Sequence, residues 1–261
     1  MNTQHSTGRG RLSRAWHSKQ AMWGAFIILG AGLAVVILVT VLGIVSPKNQ
    51  STEDAGASAP VVGGSAAPQT AAAAPDGGCP DVPGDSSLPP TAPADLRYQT
   101  GAEGLTWPVS ASAGPTKTVD GFDACFARSR VGAALAAVTA VYSQYDTRHA
   151  IADALNFYIA NSPGKQIAVT QTTKGSDPSK MISAGMTSAG FVVDAFSPDQ
   201  AQITLVYTFP SSPTGYGGIP CTVAWVDHDW KLIVLDNGEL SAGQATTPSK
   251  GDFVPWTGGK S

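Results

Sequence analysis

The residues with the best claim to chemistry are few. Asp227-His228-Asp229 has the composition of an acid–base or metal cluster, and His149 is the one other histidine after the apolar run described below. The spacing argues otherwise. No HExxH or comparable zinc-ligand pattern occurs, and Asp-His-Asp between two apolar runs reads as a hairpin tip, where such residues tolerate positive φ and solvated charge. Asp120 and Asp123 could act as paired carboxylates, but they precede a helical pattern, where acids favour the N-terminal dipole, and capping is the expected role. Arg128 and Arg130 open that pattern and read as surface contacts. No serine stands in a GxSxG elbow, and there is no Walker or GxGxxG loop. The sequence therefore predicts no catalytic residue, no metal and no cofactor.

The elements that would position any site are ordered by Ala21 to Val45, about 25 residues without a charge, where about 20 suffice to cross a bilayer. Arg9, Arg11, Arg14 and Lys19 precede it and the first acid is Glu53. Lys and Arg flanking a span stay in the cytoplasm. The expected organisation is a basic cytoplasmic tail over 1–20, a transmembrane helix over 21–45, a disordered Ala/Pro/Gly-rich tether over 46–78 and an external domain over 79–261. The apolar core is about twice the length of a cleaved signal's, so a retained, single-pass anchor in the cell membrane is expected. Of 16 basic residues four precede the span, leaving 12 against 19 acids outside and a net charge near −7. A surface of that sign does not bind phosphate backbones, so the external part is expected to bind no nucleic acid directly.

Cys79, Cys125 and Cys221 all fall on the external side, where disulfides persist. Three allow at most one internal bridge. Cys221 alternates in phase with Val223 and Trp225 and reads as a buried strand residue, which leaves Cys79 to pair with Cys125. From Cys79 to Thr118 the chain is rich in Pro and Gly without periodicity, and reads as an irregular arm anchored by Trp107. Val131, Leu135, Val138, Tyr142 and Tyr145 then recur at steps of three and four, predicting a helix over roughly Arg130 to Tyr145. Asp146-Thr147 caps a second, carrying Ile151, Leu155, Tyr158 and Ile159 up to Asn161, with Ser162-Pro163-Gly164 as its stop. A third is expected from Pro178 to Ala189. The period then becomes two. Strands are predicted at Phe191 to Phe196, Ile203 to Phe209, Ile219 to Val226 and Trp230 to Leu235. A two-residue loop in the last hairpin sets Trp225 opposite Leu232 and Val223 opposite Val234. Phe253-Val254-Pro255-Trp256 should dock back onto the domain. Helices followed by antiparallel strands indicate α+β, with the helices packed on a curved antiparallel sheet.

The segments CPDVPGDSSLPPTAPADLRY, GPTKTVDGFDACFARSRVGAALAA, WVDHDWKL and FVPW together resemble an actinobacterial family of membrane-anchored proteins associated with integrative and conjugative elements. The resemblance covers most of Cys79 to Trp256. It implies a nuclear-transport-factor-2-like cone similar to the scaffold subunits of type IV secretion and conjugation machines, with Cys79 and Cys125 as the family's paired cysteines and no catalytic residues. His228 departs from the pattern, since members more often place glycine there. The expected function is a non-enzymatic assembly subunit that forms homo-oligomers and contacts other membrane proteins of a transfer machine. The alternative is a ligand-binding module holding a lipid or cell-wall fragment in a cavity lined by Tyr142, Tyr158, Phe191 and Trp225. An enzyme of the isomerase or dehydratase kind would need a pocket Asp or His with a perturbed pKa, and fold alone does not imply one.

Overall fold

The computed structural model describes residues 78–80, 82, 84, 90–241 and 243–257. The tail, the apolar run 21–45, residues 46–77 of the tether and Leu88 lie outside the described residues. Among the described residues no helix is long and apolar enough to cross a membrane.

The stretch expected to be an irregular arm contains one hairpin, and a second begins at its end. Strands β1 (Leu96–Thr100) and β2 (Thr106–Ser110) pair antiparallel, and so do β3 (Lys117–Val119) and β4 (Phe122–Ala124). Pro108 sits inside β2, which is possible because a two-stranded ribbon leaves one side of each strand unpaired. That proline, together with the short strands, hides the alternation in the sequence. Trp107 is buried, as expected of the anchor. Asp120 and Asp123 cap no helix: Asp120 takes φ 51° in the β3–β4 turn, and Asp123 lies in β4.

Helix α1 (Arg130–Tyr142) is buried almost all round and crosses one face of the sheet. Its many alanines let helix and strands approach closely. Ser129 caps it, accepting the Gly132 N–H at 3.1 Å, and a 3₁₀ turn over Ser143–Tyr145 replaces the expected last turn. Ser129→Ala is expected to cost about 1 kcal/mol, a fall of about 2–4 °C in Tm for a domain of this size; an unchanged melting curve would show that the cap is dispensable. Helix α2 (Ile151–Tyr158) is shorter than expected and is preceded by Ala150, with no side-chain cap. Asp146 instead accepts the backbone N–H of Arg148. Helix α3 (Lys165–Gly175) is absent from the sequence reading, because Gln and Thr dilute its buried stripe to Ala168, Val169 and Thr172. Helix α4 stops at Ser183 (Pro178–Ser183), capped by Asp177. The rest of the expected third helix turns at Gly185, φ 66°, and enters the sheet.

Strands β5 (Ser188–Phe196), β6 (Gln200–Thr208), β7 (Tyr216–Val226), β8 (Asp229–Ile233) and β9 (Val254–Pro255) form one antiparallel sheet in the order β8-β7-β6-β5-β9. The protein is thus α+β. The β7–β8 loop is Asp227-His228 alone, with φ of 51° and 62°, the two left-handed residues of a type I′ turn. The register is one pair tighter than expected: Trp225 faces Trp230 and Val223 faces Leu232. Asp229 therefore leaves the tip and joins the strand.

The segment after Asn237 straps the outer face of the sheet. Thr246 and Gly218 exchange backbone hydrogen bonds, at 2.8 and 2.9 Å, and Phe253 crosses Gly190. A Cβ at Gly218 would lie 2.3 Å from Thr246 Oγ1, and one at Gly190 would lie 2.4 Å from the Phe253 ring, so both strands are bare where the strap passes. Trp256 then enters the core and stacks on Phe191 at 4.5 Å, while its carbonyl accepts the Tyr98 hydroxyl at 2.6 Å.

Candidate functional site: an arginine–aromatic face beside a disulfide anchor

Residues Cys125 to Arg130, between β4 and α1, carry the site. The capped start of α1 fixes Arg128 and Arg130 over the turn ends of the β5–β6 and β7–β8 hairpins. Arg128 lies 5.1 Å from the centre of the Trp225 ring and donates through Nε to the Pro198 carbonyl at 2.8 Å. Its Nη2 pairs with the exposed carboxylate of Asp199. Arg130 lies 4.8 Å over Phe196. Trp230, buried behind them, meets Trp225 at 5.2 Å and Phe196 at 6.0 Å. The result is a half-exposed face of two arginines stacked on two aromatic rings, bordered by exposed Val226. The planar, weakly hydrated guanidinium suits such stacking.

Beneath the face Cys125 is bonded to Cys79, with the Cα atoms 5.0 Å apart. Cys125 itself holds φ 66°, a left-handed conformation uncommon outside glycine. Asp229, 3% exposed, supports it. Its Oδ2 accepts the Cys125 N–H at 3.1 Å, and its Oδ1 accepts those of Phe126 and Trp230 at 3.0 Å. The Trp230 indole donates to the Ala127 carbonyl at 2.9 Å. Lys231 approaches the same carboxylate at 3.8 Å and lies 3.8 Å over the Phe157 ring. Burial pushes the Asp229 carboxyl above its ordinary value despite the three N–H bonds, and pushes the Lys231 ammonium below its own. Asp229 is thus a structural acceptor, and the expected solvated Asp-His-Asp triplet is split: Asp227 and His228 form the turn while Asp229 is buried.

A second polar cluster joins the arm to the helices. Arg148 bridges Asp146 and Asp123 at 2.6 and 2.5 Å, and the Tyr158 hydroxyl donates to the Asp123 carbonyl at 2.9 Å. Against the opposing effect of burial, the Arg148 bonds hold the Asp146 carboxyl below its usual range. His149 packs on Phe122 at 4.2 Å, and Phe122 stacks on Phe157 at 4.6 Å. Among the described residues no group of three His, Cys, Asp or Glu could hold a metal ion.

The four aromatics expected to line a cavity belong to one hydrophobic core or pack against it, and their ring contacts are with different partners. Tyr142 packs against Trp107, Tyr145 and Tyr207; Tyr158 against Phe122 and Phe157; Phe191 against Trp256; Trp225 against Trp230 and Arg128. Cys221 is buried and reduced, and burial pushes its thiol up to about 12. Sequence reasoning placed Asp229 at the hairpin tip rather than inside, and did not single out Phe196 or Asp199 as site residues. Asp229 was legible in principle, since a two-residue Asp-His loop leaves the next residue in the strand.

Searches for relatives give one positive result. No curated protein and no solved structure matches the chain. Residues 57–255 match a family model described as a domain of unknown function, DUF8175. That match takes in both hairpins, the disulfide, the arginine–aromatic face and nearly all of the strap. The chain belongs to this DUF8175 family.

Proposed function

We propose that the chain is a non-enzymatic, membrane-anchored assembly subunit whose external domain docks other proteins, and that it serves a conjugative DNA-transfer machine of the type IV secretion kind. On this reading the segment 21–45 spans the membrane once with the N-terminus inside, and copies of the chain associate with one another and with other membrane components. The α+β architecture, with helices on one face of an antiparallel sheet, fits the nuclear-transport-factor-2-like cone implied by the resemblance. The observation that carries the reading is the Arg128–Trp225 and Arg130–Phe196 face. Trp and Arg are the residue types that dominate binding energy at protein interfaces, and here they are preorganised by stacking, which lowers the ordering cost of association.

Light scattering of the full-length protein in detergent tests this. A discrete oligomer is expected, and the double substitution Trp225→Ala, Arg128→Glu should weaken it. Loss of about 2 kcal/mol at such a hot spot corresponds to roughly 30-fold in dissociation constant. An oligomer untouched by the double variant would move the contact elsewhere, and a monomeric wild type whose gene deletion leaves DNA transfer intact would end the reading. One observation favours the alternative of an external ligand-binding module for a lipid or cell-wall fragment. The buried indole N–H of Trp107, beside Tyr142, meets no acceptor among the described residues, and buried donors ordinarily have one. A small molecule copurifying with the wild type and lost from Trp107→Phe would support that alternative.

A further inference from the structure

We infer that the Cys79–Cys125 disulfide is a force shunt: tension arriving along the chain from the N-terminal side of Cys79 passes directly into Cys125 and the adjoining arginine–aromatic face, and leaves the hairpins β1–β2 and β3–β4 unloaded. The inference rests on the reading above that the chain is held through residues preceding Cys79.

The two cysteines are 46 residues apart in sequence, and all of β1 to β4 lies inside the loop they close. Without the bond, a pull at Cys79 would reach the body of the domain only through those hairpins, the second of which has three residue pairs. A short ladder pulled from its end opens pair by pair. With the bond, the same pull arrives at a residue held from several directions. The Cys125 N–H is bonded to Asp229 on β8, its carbonyl accepts from Thr116 N and Oγ1, and the next peptide N–H returns to Asp229. Ala127 donates to the Ala113 carbonyl and accepts the Trp230 indole N–H. These bonds lead to β8, the arm and the core, so they must fail together. Three residues beyond Cys125 stands Arg128, stacked on Trp225. The covalent path from the tether to the contact face is therefore a handful of residues, whereas the backbone path includes the whole arm.

Single-molecule pulling of the full chain tests the shunt, with one handle at the N-terminus and one on a click-reactive side chain at exposed Gln200. The oxidised chain is expected to hold until one main unfolding event. After reduction, an earlier extension at lower force should appear, of roughly 150 Å for the released residues at about 3.4 Å each. A reduced chain that unfolds in a single event at the oxidised force would overturn the inference. A second measurement covers the case in which reduction unfolds the domain outright. A protease site inserted after Glu103, exposed in the β1–β2 turn, is cleaved in the folded, oxidised protein. The nicked chain should keep the unfolding force of the intact one, because the load does not travel through the cut segment. A marked fall in force on nicking would show that the hairpins carry the tension. Neither measurement involves a bilayer, so a negative result here is distinct from failure of the anchoring reading, which the localisation of the intact protein decides.

Discussion

Replacing Cys79 and Cys125 together by serine is expected to lower the Tm of the folded domain by about 8–16 °C. A loop of 46 residues corresponds to about 4 kcal/mol in the chain-entropy picture of a cross-link, and a domain of this size loses about 2–4 °C per kcal/mol. The effect should be specific to the crossing point. The reduced wild type should melt with the serine variant, and the hydrogen exchange that speeds up first should be in β1 to β4, since those strands lie inside the loop. A shift below about 2 °C, within the usual spread for a neutral surface change, would show that Trp107 and the Tyr98–Trp256 hydrogen bond hold the arm without covalent help.

Asp229→Asn should cost about 3 kcal/mol, or about 6–12 °C. The carboxylate accepts three backbone N–H groups on two oxygens. An amide offers one oxygen, so its NH₂ must face either the Cys125 N–H or the Phe126 and Trp230 pair. A buried donor is then left without an acceptor, and Lys231 loses its counter-charge, a combination that is expensive in a dry site. The pH dependence has a definite sign. Burial raises the folded-state pKa of Asp229 above the ordinary 3.8, so the carboxyl's contribution is greatest below that value and shrinks as pH rises through the folded pKa. The stability gap between wild type and Asp229→Asn should therefore be wider near pH 4 than at neutrality. Denaturant titrations at the two pH values check this; a gap that widens toward neutrality would mean that the three N–H bonds outweigh burial.

Much of the helix and sheet order was legible because it rests on period. The stripe from Val131 to Tyr142 and the alternation through Ile203 to Tyr207 are buried-face patterns, and both became elements close to where expected. What stayed hidden rests on contacts distant in sequence. Helix α3 shows too few apolar residues to announce itself, and is held by Ala168, Val169 and Thr172 against neighbours that sequence does not name. The hairpin β1–β2 is interrupted by Pro108 and is stabilised by burying Trp107 under the domain. The site was half legible. Arg128 and Arg130 were visible as a basic pair opening a helix, but their aromatic partners Trp225 and Phe196 come from strands about 65–100 positions later in the chain. Asp229 was concealed by its company, since Asp and His beside it are turn residues and only the one-pair shift in register carries it inward.

The docking of Trp256 has a consequence in time. Synthesis delivers the chain from its N-terminal side, so the helices and β5 to β8 are available well before residue 256. Until it arrives, the Phe191 ring lacks its stacking partner, and the β5 backbone at Gly190–Phe191 lacks the strand that pairs with it. A nascent domain interrupted anywhere before the strap thus displays an uncovered aromatic and an unpaired strand edge, features that invite association with other chains and capture by holdases. Closure thus waits on a segment more than 50 residues beyond β5, and chains cut before Trp256 are expected to keep both features exposed.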